Sequence, residues 1–213
     1  MTLERISALS PADWYDAFTK HLYWSQNNNR ISGNPAWDAE GLNVIGIRCN
    51  PLEDFFMPTR TGKEEWNDAL VLIEGTRIEV FACTTDPAVV RVNPIGIAHL
   101  NEGCWDSYVR GNHRSAWRKA LVQRKGPVRV TRTDSRGNVK MHEWGYFGIN
   151  VHNAMSWRKP SAGCTVIKPD RIMGLKDKAY IRFRDMLMNA PSRNSRTYAL
   201  MNRTQLRGYG YDV

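Results

Sequence analysis

Apolar positions recur along this chain at two spacings, and the change from one to the other organises it. Behind Ser10-Pro11-Ala12-Asp13, residues Trp14, Phe18, His21 and Leu22 follow one another at helical intervals. Ser10 has the residue type of an N-cap and Pro11 suits a first helical position, so a helix is predicted over 11–25. Asn27-Asn28-Asn29 and Gly33-Asn34-Pro35 read as loop. From residue 43 onward the pattern shortens to apolar runs bounded by Gly, Pro, Asn and Asp. Strands are predicted over 43–48, 69–74 and 77–83, the last two joined by Gly75-Thr76 at hairpin spacing. Further strands are read at 96–100, 128–133, 139–143, 146–151, 164–167 and 197–201. A short helix is expected over 114–123 and a longer one over 170–189, with Ile172, Leu175, Ala179, Phe183 and Leu187 on one face. Cys104-Trp105 and the stretch from Arg110 to Arg114 read as loop. Strands in the middle with helices at the ends predict a mainly β, α+β architecture in a single domain.

Composition narrows the classes. The chain has 213 residues, 42% of them hydrophobic and 24% charged, as expected of a globular protein with a sizeable core. Thirty Lys and Arg against 21 Asp and Glu leave a net charge of +9, which favours anionic partners such as an envelope surface. The basic residues are dispersed, and no DNA- or RNA-binding motif is visible, so no specific nucleic acid is expected. Cys49, Cys83, Cys104 and Cys164 are too widely spaced for a disulfide framework and contain no CxxC pair. Reduced thiols are expected, with no cofactor and no metal. No apolar run reaches the length of a signal peptide or a membrane span, so the expected location is the cytoplasm of a host cell.

One segment carries chemistry. Tyr146-Phe147-Gly148-Ile149-Asn150-Val151-His152 ends an apolar run in a histidine, and Ser161-Ala162-Gly163-Cys164-Thr165-Val166-Ile167 opens the next with a cysteine. Neighbouring strands would bring imidazole and thiol together, as nucleophilic thiol catalysis requires. Cys164 is the expected nucleophile, with a lowered thiol pKa, and His152 its base. Gly163 permits a tight turn whose backbone N–H groups, with that of Cys164, would face an oxyanion. His113 is a third candidate catalytic group. Ser161, Gly163, Trp144 and Asn150 are candidate substrate-binding residues, and Trp144 and Trp157 flank the segment where they would line a groove. His99 reads as a core histidine, and Asp86 as a turn cap or an orienter of an imidazole. A metal site built from His113, His142, His152 and Cys164 is disfavoured, because close ligand spacing is missing.

The His–loop–Ser-x-Gly-Cys arrangement resembles the catalytic segment of the L,D-transpeptidase family, which remodels peptidoglycan stem peptides through a thioacyl-enzyme. More broadly, residues 42–190 look like phage and prophage relatives of that domain. The strand at 42–48, Thr84-Thr85-Asp86-Pro87, Gly111-Asn112-His113, Asn150-Val151-His152 and Ser161-Ala162-Gly163-Cys164 follow in the same order. The resemblance implies a β-sandwich with Cys164 as nucleophile and His152 as base. On that reading 1–41 form a helical extension packed on the core. Residues 42–213 form the catalytic domain, with a C-terminal helix and a basic tail. Ala162 stands where relatives often carry a second histidine, Val166 where they usually carry arginine, and the loop after His152 is shorter. Missing acceptor contacts favour water as acyl acceptor. The expectation is therefore an endolysin-type hydrolase of stem peptides, released to the wall through a separate membrane pore. The alternatives are an L,D-transpeptidase and a non-catalytic basic binding module.

Overall fold

The computed structural model describes residues 3–49, 66–87, 94–114, 118–134, 136–154, 161–170 and 176–213. The elements in chain order are helices α1 (Leu3–Ser7) and α2 (Pro11–Asn27), then strands β1 (Ile31–Ser32), β2 (Leu42–Arg48), β3 (Asp68–Glu74), β4 (Arg77–Thr84) and β5 (Ile97–Leu100). Next come β6 (Gly103–Asn112), β7 (Lys119–Gln123), β8 (Val128–Thr133), β9 (Val139–Gly145), β10 (Val151–Asn153) and β11 (Thr165–Ile167). Helix α3 (Lys178–Asn189), strand β12 (Arg196–Asn202) and helix α4 (Arg203–Gly208) complete the order.

The strands do not form the expected sandwich. In the larger sheet the order is β6-β12-β2-β3-β4-β11-β10-β7, and β7 pairs back onto β6, from Tyr108↔Gln123 to Asn112↔Lys119. The sheet therefore closes into an eight-stranded barrel, with β1 added parallel to β6 outside the ring. The correction has a local cause. Residues 103–112, in which Cys104-Trp105 and 110–112 read as loop, and 119–123, within the expected helix 114–123, are the two strands whose pairing seals the ring. Closure satisfies every strand edge of the ring, which two stacked sheets would leave exposed. A second sheet, β5-β8-β9, stands beside the barrel.

Side chains alternate along the barrel strands. Leu42 and Val44 on β2, Leu70 and Leu72 on β3, and Tyr198 and Leu200 on β12 join one buried cluster with Phe183 of α3 and Val130 of β8. Ile45, Ile47, Val71, Ala199 and Met201 join another, covered by Ile6, Trp14, Phe18 and Leu206 of the remaining helices. The first cluster is the interior: the Thr165 hydroxyl of β11 meets the Tyr198 phenol of β12 at 2.9 Å, across strands that are not neighbours. Burial on both faces explains why β2 and β3 read as continuous apolar runs. Each large side chain so buried contributes roughly 1.5–3 kcal/mol. Helix α2 starts at Pro11 behind a capping box between Ser10 and Asp13. Helix α3 begins only at Lys178, where Asp177 caps the Tyr180 N–H; 171–175, in the expected start of that helix, lie outside the described residues. Among the described residues no helix is long and apolar enough to cross a membrane.

Candidate functional site

Strand β10 is the hinge of the site. It runs parallel to β11, with Val151↔Thr165 and His152↔Val166 in register, and antiparallel to β7, with Val151↔Leu121. Val151, Leu121 and Ile167 belong to the interior cluster, so His152 projects to the opposite, outer side of this wall. The residues before it, 146–150, are not the predicted strand. Their backbone is gathered by one buried side chain, Gln123, whose Oε1 accepts from the N–H groups of Phe147, Gly148 and Ile149 at 3.0, 3.0 and 3.3 Å. Gly148 takes φ +68, a left-handed conformation that a larger residue would adopt with strain. This curl sets Cys164 against two backbone groups. The Asn150 N–H points at Sγ from 3.4 Å, and the thiol faces the Gly148 carbonyl at 3.7 Å.

The turn before the cysteine is equally constrained. Ser161 Oγ accepts from the Gly163 N–H at 3.1 Å and donates to the Cys164 carbonyl at 2.6 Å. Gly163 has φ +133, and a Cβ there would stand 3.0 Å from the Ala98 carbonyl oxygen. Because the Gly163 N–H is already taken, it is not the oxyanion donor the sequence led us to expect.

His113 stacks on His152 with ring centroids 3.9 Å apart and planes 19° apart. One nitrogen from each ring and the Cys164 sulfur lie within 4.8 Å of one another. Partners that can only donate fix the tautomer of His113, whereas His152 Nδ1 faces one donor and one acceptor. His152 Nδ1 stands between an acceptor, the Asn153 carbonyl at 2.7 Å, and a donor, the Arg118 guanidinium at 3.0 Å; in the tautomer that donates to Asn153, Nε2 holds the lone pair. Nε2 is buried without a hydrogen-bond partner among the described residues. Asn150 Oδ1 accepts from the Gln123 N–H at 3.0 Å, so its Nδ2 is the donor to His113 Nδ1, also at 3.0 Å. The His113 proton therefore resides on Nε2. With one His113 lone pair occupied and the other nitrogen protonated, the trio fits proton transfer better than metal ligation. His142 is elsewhere, on β9, bonded through Nδ1 to the Thr131 hydroxyl at 3.0 Å.

Arg118 braces the site. Its guanidinium donates to the Asn153 carbonyl and, at 3.3 Å, to Asn153 Oδ1, close behind the His152 ring. Burial, then His113 and Arg118, push His152 down to about 3. Burial, with Arg118 and Arg114, pushes His113 down to about 4. Burial raises the Cys164 thiol, against the opposing pull of the Asn150 N–H and the two arginines. The lowered thiol pKa expected from sequence is thus reversed: at neutral pH the site holds a neutral thiol beside a neutral imidazole.

Above Cys164 opens a cleft of about 430 Å³, lined among others by His113, Arg114, Arg124, Phe147, Asn150 and Ala162. Arg114, beside His113, takes φ +63, a strained conformation for a non-glycine residue of a kind that clusters at functional sites. The structure thus brings Cys164, His152, His113, Asn150, Ser161 and Gly163 together. Trp144 is not among the cleft's described residues; it is 41% exposed and packs edge-on against Trp105 at 5.6 Å. Trp157 lies outside the described residues. Asp86 orients an imidazole, but that of His99, at 3.5 Å, while ion-paired to buried Arg48 at 3.1 Å. Sequence reasoning missed Gln123, Arg118, Arg114 and Arg124. Arg114 and Arg118 lie in a stretch read as loop and helix, Arg124 just beyond it, and nothing in the sequence marks a glutamine as a backbone organiser. No protein-family model, curated protein or solved structure matches this chain.

Proposed function

We propose that the chain is a cysteine-dependent hydrolase of peptidoglycan stem peptides. The observation that carries this reading is a buried imidazole nitrogen without a hydrogen-bond partner among the described residues, beside a thiol, at a cleft rimmed by arginines. A buried polar atom left unpaired costs about 1–3 kcal/mol, and such a cost is retained where the atom has work to do. The motif's resemblance to the L,D-transpeptidase segment supplies the substrate class. Stem peptides carry free carboxylates, which suit a basic rim.

On this reading the Cys164 sulfur adds to the peptide carbonyl carbon as its proton passes to His152 Nε2, and the carbonyl electron pair moves onto oxygen. The tetrahedral species collapses, the amine leaves with the proton from His152, and a thioester remains. Water then adds to the thioester carbon, giving a proton to His152. The sulfur leaves and recovers that proton, releasing the acid. Overall, one peptide and one water become one acid and one amine. The substrate would be reached after release through a separate pore.

The test is digestion of isolated peptidoglycan by the purified chain and its Cys164→Ala variant under reducing conditions, with products read by mass spectrometry. New free amine and carboxyl termini with the parent chain alone are expected. Identical products from both proteins overturn the reading, and new crosslinks in place of new termini point to L,D-transpeptidation.

A further inference from the structure

We infer that His113 is the neutral hydrogen-bond donor to the developing oxyanion of this reaction, and that Asn150 is the positioning residue that aims it. The inference rests on the proposed cysteine hydrolysis and adds a side-chain donor at the oxyanion. An acyl transfer through sulfur needs donors at the carbonyl oxygen, and one is worth roughly 10²–10³ in kcat in comparable enzymes. The Gly163 N–H, one of the two backbone donors expected there, is already spent on Ser161 Oγ.

His113 arrives from a different element, just beyond the end of β6, and its ring covers His152 at 3.9 Å. Its protonation pattern is set by a relay that starts in the backbone. The Gln123 N–H fixes Asn150 Oδ1 at 3.0 Å, which turns Asn150 Nδ2 onto His113 Nδ1 at 3.0 Å. The remaining Nε2–H has no hydrogen-bond partner among the described residues, on a ring that lines the cleft beside Cys164. The neighbours that face it include His152 and Asn150 on the β10 side, Arg118 ahead of β7, Arg114 next in the chain and Cys164. Both arginines disfavour a second proton on the ring, which keeps it an uncharged donor. The two stacked imidazoles thereby divide the work. The ring with the unpartnered, buried Nε2 moves protons, and the ring with the free N–H holds charge. Because Asn150 also sends its backbone N–H to the sulfur, one residue aligns nucleophile and donor together.

The experiment uses the full chain labelled with ¹⁵N-histidine, whose long-range ¹H–¹⁵N correlations report the tautomer of each ring, alongside kinetics on peptidoglycan. In the parent protein His113 is expected as the neutral Nε2–H form at pH 6, where an ordinary histidine is largely charged. Asn150→Asp, which offers His113 Nδ1 only an acceptor, is expected to move the proton to Nδ1 and to lower kcat by about 10²-fold with KM little changed. His113→Ala is expected to lose a similar factor, and His113→Gln, which keeps an N–H donor, to regain about tenfold of it. An Nδ1–H or charged His113 in the parent protein overturns the inference, with no need of activity or of a folded variant. Equal kcat for the parent and His113→Ala, with Cys164→Ala inert, also overturns it. Absence of any Cys164-dependent hydrolysis instead removes the hydrolase reading and the oxyanion role with it.

Discussion

Two walls of the barrel each bury a histidine, and they treat it differently. Beneath α2, His21 is wholly enclosed, stacked on Trp24, with Nε2 at 2.9 Å from the Leu200 carbonyl and Nδ1 at 3.1 Å from the Tyr209 hydroxyl. On the wall made by β7, β10 and β11, His152 is equally buried, but its Nε2 meets no partner among the described residues and lies beside another imidazole and a thiol. Burial depresses both, His21 to about 4 and His152 to about 3. A shifted pKa therefore does not separate a histidine with both nitrogens engaged from one with an open nitrogen. The separating feature is whether each nitrogen's bonding capacity is used up.

The comparison breaks most plainly by mutation. His152→Ala and Cys164→Ala are each expected to lower hydrolysis by roughly 10⁴-fold or more while leaving the urea midpoint close to that of the parent chain. His21→Ala is expected to do the reverse. It strands the Leu200 carbonyl and empties a packed site, costing about 2–4 kcal/mol of stability, with kcat of the folded fraction unchanged. Loss of kcat in His21→Ala, or full activity in His152→Ala, would erase the distinction drawn above.

Acid provides the second lever. A histidine held neutral in the fold, with its pKa below the unfolded value of about 6.5, stabilises the protein fully above that pH. The contribution is lost as pH falls toward the folded value, because only the unfolded chain takes up the proton. Between pH 7 and 4, His21 alone should remove roughly 3 kcal/mol, visible as a falling urea midpoint. A midpoint independent of pH in that window would contradict neutral burial of this ring.

Smaller effects refine the catalytic side. Gly163→Ala forces a side chain into a left-handed conformation against the Ala98 carbonyl, an expected cost of about 1–3 kcal/mol together with an activity loss of roughly tenfold. Smallest is the response to Arg118→Gln. Removing that cation relieves the imidazolium form of His152, so the acid limb of kcat is expected to move upward by about one pH unit. An unmoved limb would mean that the arginine does not act on the base.

The strands at 43–48, 69–74 and 77–83, the Gly75-Thr76 turn and the capped helix from Pro11 were legible because their causes are local. Period-two or uninterrupted apolar runs, turn residues and an N-cap act within a few positions. The pair Cys164 and His152 was legible for a related reason: parallel neighbours twelve positions apart in the chain leave little freedom in where they meet. The closing strand β7 was not. Its residues Lys119–Gln123 carry no alternation, and they become a strand because β6 and β10 offer hydrogen bonds on both sides. The ring closes through that non-local pairing. The same pairing carries His113, Arg118 and Gln123 to the site, since all three lie at or near the ends of β6 and β7. The sequence determined which residues can do thiol and imidazole chemistry. The tertiary structure decided which nitrogen is free and which thiol is open to a cleft. Those properties depend on partners distant in the chain, through hydrogen bonds and burial that no local pattern encodes.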